Sequence, residues 1–82
     1  MIRVWVYGTV MGEFAMSPIE AKLLIFQILT HGKRFHRVTT DGERIKLIEY
    51  EGVQYRCPPV KAENTTLDEI RIFEVKTGKR IM

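Results

Sequence analysis

Several things that carry chemistry or structure in other chains are scarce here. There is one cysteine, so Cys57 can make neither an internal disulfide nor a cysteine-rich zinc site. His31 and His36 are the only other soft metal ligands, and their spacing with Cys57 matches no zinc pattern. No metal or other cofactor is therefore expected. No run approaches the roughly 18 apolar residues of a membrane-crossing helix, so no membrane association is expected. The start does not read as a secretory signal, because Arg3 is followed by alternating Val, Trp and Tyr. A cytoplasmic, reducing location is the expectation. Also missing are a Gly-x-Ser-x-Gly nucleophile turn, a glycine-rich phosphate loop and a His-Glu-x-x-His helix. These absences argue for a protein without catalytic activity. Asn64-Thr65-Thr66 fits a glycosylation sequon, which is without meaning when no secretory signal is read. One Ser, one Asn and two Gln, set against nine Ile, eight Glu, seven Arg and six Lys, give the bias of a thermophilic source.

What is present is an ordinary globular mixture: 45% hydrophobic and 28% charged residues in 82. There is no repeat, low-complexity tract or linker, so residues 1–82 read as a single domain. A chain of this length buries only about 60–65% of its unfolded surface, which favours joining a partner. Thirteen Lys and Arg against ten Asp and Glu leave a charge of +3, a mild excess compatible with an acidic partner.

Residues 2–10 alternate Val4, Val6, Gly8 and Val10 with Arg3, Trp5, Tyr7 and Thr9, the period of a strand with apolar groups on both faces. A central strand is expected, with Trp5 and Tyr7 on one face as core, interface or, more sharply, a base-stacking platform. Residues 11–16 read as a connection. Ser17-Pro18-Ile19-Glu20 then offers a capping Ser, a Pro at the first helical position and a Glu placed for a capping box. A helix should run over 18–31, with Gly32 as a left-handed stop. At 100° per residue, Glu20, Gln27 and His31 form one narrow polar stripe, and nearly everything else is apolar. The apolar surface is about twice as wide as that of an ordinary surface helix. One side should lie on the chain's own sheet. The other is expected to meet a second copy, through Leu24, Ile25, Ile28 and Leu29, in a homodimer.

The remainder reads as an antiparallel meander. Strands are expected at 34–40, 43–50 and 53–57, turned by Asp41-Gly42 and Glu51-Gly52 and ended by Pro58-Pro59. Residues 60–67 read as loop. Residues 69–76 read as another strand, or Thr66 caps a short helix through Glu69. Thr77-Gly78 turns into a last edge strand at 79–82. The expected fold is α+β, a small two-layer sandwich of β-α followed by three to five antiparallel strands.

Positive charge is densest at Lys33-Arg34-Phe35-His36-Arg37, extended across the hairpin by Arg44 and Lys46. Lys33, Arg34, His36, Arg37, Arg44 and Lys46 are candidate phosphate contacts, with Phe35 available for stacking. Strand alternation should nevertheless separate Arg34 and His36 from Phe35 and Arg37. Cations near a helix C-terminus also offset its dipole without binding anything. A second basic group, Lys76, Lys79 and Arg80, suits protection of a sheet edge. Glu49 and Glu51, two apart, would share a strand face as a carboxylate pair or as solvated acids before a turn. Cys57, before two prolines, reads as a small hydrophobe.

Val6-Tyr7-Gly8-Thr9-Val10-Met11-Gly12 resembles the opening strand and loop of γ-glutamylcyclotransferase-like proteins, and Glu51-Gly52-Val53-Gln54-Tyr55-Arg56 is similar to their Glu-Gly-x-x-Tyr-x-Arg segment. The resemblance implies Glu51 as a catalytic acid–base and Tyr7 to Thr9 as a substrate-binding loop. The sequence thus leads first to a small homodimeric binding or regulatory protein acting on another macromolecule, a protein or a nucleic acid. Nucleic-acid binding through residues 33–46 is the alternative, and the enzyme is a weaker one.

Overall fold

The structure, a computed structural model, describes residues 1–39, 42, 44–58 and 66–82. Its first departure from the sequence pattern comes at Tyr7 and Gly8, which both take positive φ (51° and 77°), as in a type I′ turn. Residues 2–10 are therefore not one strand. They form β1 (Ile2–Val6), a two-residue turn and the start of β2 (Thr9–Phe14). The alternation runs unbroken through the turn, so the pattern alone does not show the reversal. Tyr7 tolerates its strained backbone because its side chain packs against the core and its N–H donates to the Glu69 carbonyl at 3.1 Å. The expected connection at 11–16 is largely strand as well.

α1 (Pro18–His31) has its expected limits, and Ser17 Oγ accepts the Glu20 N–H at 3.3 Å. Gly32 does not act as expected. Its φ of −73° and ψ of 155° are extended, so the helix does not end in a left-handed residue. The chain passes straight into β3 (Lys33–Val38), and the glycine is needed because the helix end lies against β4 (Arg44–Tyr50). A Cβ at Gly32 would overlap Ile48 Cγ2 and the Ile28 carbonyl oxygen, and would stand 3.2 Å from the Glu49 carbonyl oxygen. Gly32→Ala is expected to destabilise the protein by about 1–3 kcal/mol through overpacking. Chemical denaturation measures it, and an unchanged midpoint would mean that both the Ile48 side chain and the Ile28 carbonyl give way freely.

Glu51 and Gly52, with φ of 50° and 80°, turn β4 into β5 (Val53–Cys57). Gly42 also has positive φ (76°), but the Val38–Arg44 pairing leaves residues 39–43 between β3 and β4, so the expected two-residue turn and its register are not formed; its other residue, Asp41, lies outside the described residues. So does most of the expected loop at 60–67. A 3₁₀ turn (Leu67–Glu69) precedes β6 (Ile70–Glu74), so a short helical turn and a strand follow one another, but the Thr66 side chain does not make the expected capping bond. The expected terminal strand is reduced to a Phe73–Arg80 bridge, with the Ile81 N–H on the Ile72 carbonyl at 2.7 Å.

Two three-stranded antiparallel sheets result, ordered β2-β1-β6 and β3-β4-β5, with one helix: a small α+β fold, as expected. The meander stops at β5, however, and β6 pairs with β1 because its Ile70 and Ile72 join Val4 and Val6 in the core. Ala21, Ile25, Ile28 and Leu29 make one buried helical stripe over Ile2, Val4 and Val6 of β1, Ile70 and Ile72 of β6, and Ile48 and Cys57 of the second sheet. Each fully buried aliphatic side chain contributes about 1.5–3 kcal/mol. Leu24 and Phe26 pack on the flanks. The helix thus covers two sheets of its own chain. On its far side Ile19 and Leu23 remain 59% and 54% exposed.

Candidate nucleic-acid interface

Cross-strand partners share a sheet face, so the register of β3-β4-β5 sorts the basic cluster. One face carries the rows Lys33–Glu49–Gln54 and Phe35–Leu47–Arg56, and the pair Arg37–Ile45. The other carries the rows Arg34–Ile48–Tyr55 and His36–Lys46–Cys57, and the pair Val38–Arg44. Ile48 and Cys57 belong to the main core cluster and Tyr55 packs against it, which makes the second face the core side, although Ile45 and Leu47 of the first face are buried too. The candidate residues are therefore not one surface: Lys33 and Arg37 point away from the core with Phe35, while Arg34, His36, Arg44 and Lys46 project on the core side. All six residues of β3 are nevertheless exposed, so the strand lies beyond the core's cover on both faces. Phe35 is 41% exposed between Lys33 and Arg37, with exposed Arg56 in its row. Lys33, Arg34, Arg37 and Arg56 form no ion pair among the described residues.

β3 is also the edge of its sheet, with no described strand on its outer side. Antiparallel pairing of two copies about the strand centre would set Arg34 opposite Arg37 at both ends of the pair. Like charges directly opposite disfavour such pairing. The same charges attract an anionic polymer.

Cys57 lies at the inner end of this sheet. Burial pushes its thiol up to about 11, against the lowering influence of Lys46 and Arg34. A thiol kept protonated at neutral pH is a packing group and no nucleophile, as its place in the core indicates.

The other candidate residues are dispersed. Ile25, Ile28 and Leu29 are closed off inside the protomer's own core and Leu24 packs beside them, so they offer a second copy little surface. Ile19 and Leu23 hold the helix's exposed apolar area instead. Trp5 and Tyr7 do not share a face, because Trp5 is in β1 and Tyr7 is in the turn against the core. Glu49 stands in β4, but Glu51 occupies the following turn, where it is exposed, so they are not a strand-face pair. Tyr7-Gly8 and Glu51-Gly52 are tips of hairpins in different sheets. Lys76, Lys79 and Arg80 are exposed around the last turn, where Thr77 Oγ1 accepts the Lys79 N–H at 3.3 Å. Among the described residues no cluster of three or more His, Cys, Asp or Glu could hold a metal, and no helix is long and apolar enough to cross a membrane.

Sequence reasoning missed Arg56. Counting outward from a two-residue Glu51-Gly52 turn pairs Tyr50 with Val53 and hence Leu47 with Arg56, but setting that row beside Phe35 required the observed β3–β4 register. Comparison with protein-family models, curated proteins and solved structures finds no match to this chain.

Proposed function

We propose that this is a small non-enzymatic binding protein that acts by contact with another macromolecule, and that the macromolecule is a nucleic acid. The observation that carries this reading is β3: an edge strand exposed along its whole length, with three fixed positive charges around a half-exposed phenylalanine. Lys33, Arg37 and Arg56, which share the face of Phe35, contact phosphates, and Phe35 offers a stacking face. The exposed position of Glu51 supports no enclosed acid–base site. The test is retention of short single-stranded and duplex DNA and RNA across a salt series. Binding should weaken steeply, with a log–log slope of about −2 for three phosphate contacts on a single strand. Binding that ignores salt, or no binding at low salt, would sink the reading and turn the search to protein partners.

A second reading, homodimerisation, is favoured by Ile19 and Leu23, one helical turn apart and more than half exposed. It sits beside the first, since a dimer doubles the basic surface. A light-scattering mass of one chain would end it.

A further inference from the structure

The outer face of the first sheet holds a second grouping of aromatic and cationic side chains. Trp5 lies between buried Val4 and Val6 and so points away from the core. The register places Trp5 between Val10 and Arg71, and Arg3 between Glu13 and Phe73. The Trp5 and Phe73 rings meet edge to face, 6.1 Å between centroids and inclined at 64°. Together with Arg71 and Gly8 they line a cavity of about 300 Å³. Gly8 adds no side chain, and a Cβ there would meet nothing within 4 Å, so this wall stays open. The two arginines differ. Arg3 is paired with Glu13 at 2.9 Å, whereas Arg71 is exposed and has no ion pair among the described residues.

Two aromatic rings, an uncommitted guanidinium and an open wall suit a flat π-system carrying an anion. An aliphatic side chain of a protein partner would leave both the stacking surface and the guanidinium unused. We propose that this cavity takes an unpaired nucleobase against Trp5 and Phe73, with Arg71 on the adjoining phosphate, so that the ligand is single-stranded. A base inside a duplex has both faces stacked and cannot enter. The inference rests on the nucleic-acid reading of β3, but uses residues of the other sheet.

Trp5 is the only tryptophan, so its fluorescence reports on this cavity alone. The full chain is titrated with a short oligothymidylate and with a duplex of equal length, following tryptophan emission and, separately, the anisotropy of a dye on the oligonucleotide. The expected result is quenching by the single strand and little by the duplex. Arg71→Ala and Phe73→Leu should each weaken single-strand binding about tenfold, the scale of one lost stacking or phosphate contact. Because Arg71 is exposed, Arg71→Ala tests the site even if Phe73→Leu unfolds. Anisotropy showing salt-sensitive binding with unmoved tryptophan emission would overturn the base site and leave the β3 reading standing. Equal quenching by duplex and single strand would also overturn it. No binding by either probe would remove both.

Discussion

Lys33→Glu together with Arg37→Glu should lower nucleic-acid affinity by about two orders of magnitude and reduce the salt slope by between one and two. Both side chains are exposed, on one strand and on the face that carries Phe35. Each substitution removes an attraction to phosphate and adds a repulsion. Neither side chain is part of the core, so the fold should be kept, with at most about 1 kcal/mol lost where Lys33→Glu faces Glu49. Arg34→Glu with His36→Glu makes the comparison on the core-side face of the same strand. A large loss in the first pair and a smaller one in the second would assign the nucleic acid to the outward face. If neither pair matters, β3 is not the contact. Lys76, Lys79 and Arg80 then become the group to reverse.

Ile25→Asp should leave the chain unfolded, seen as lost circular dichroism and an expanded hydrodynamic size. Ile25 is fully buried between both sheets, among Val4, Ile48, Ile70 and Ile72. Truncation to Ala alone would cost about 2–5 kcal/mol. An unpaired carboxylate there adds several more, against a total stability of about 5–15 kcal/mol. Leu23→Glu, two positions earlier on the same helix, should change stability by no more than about 0.5 kcal/mol because Leu23 already faces water. The contrast separates the two apolar sides of the helix. If the unmodified protein is a dimer and Leu23→Glu is a folded monomer, the exposed side is the interface. A folded Ile25→Asp protein would contradict the packing of the helix on its sheets.

Local chemistry made much of this legible. Ser17-Pro18-Ile19-Glu20 predicts a helix start, and α1 begins there. Glu51-Gly52 carries the positive φ and the two-residue turn read from it, whereas Gly42 has the positive φ but lies in a longer connection. The turn at Tyr7-Gly8 was hidden, because tyrosine has no preference for positive φ and the apolar alternation continues through it. Gly32 was placed correctly but for another reason: a helix end pressed against Ile48 leaves no room for a Cβ, and that pressure comes from a residue sixteen positions away. The helix buries one stripe within its own chain and leaves Ile19 and Leu23 exposed. Which of its apolar residues stay exposed depended on where two sheets would lie.

The same division runs through the candidate sites. Composition and local pattern determined an α+β chain with one capped helix, an antiparallel meander and a basic stretch at 33–37, because capping, turn preference and side-chain alternation act within a few residues. Only the tertiary structure decided that Lys33 and Arg37 stand with Phe35 and Arg56, that Ile25 is core while Leu23 is not, and that Trp5 meets Phe73 beside Arg71. Those groupings depend on strand register and on how sheets share a helix, interactions between residues far apart in the chain. Their free energy comes from burying apolar surface collectively, and no single segment encodes it.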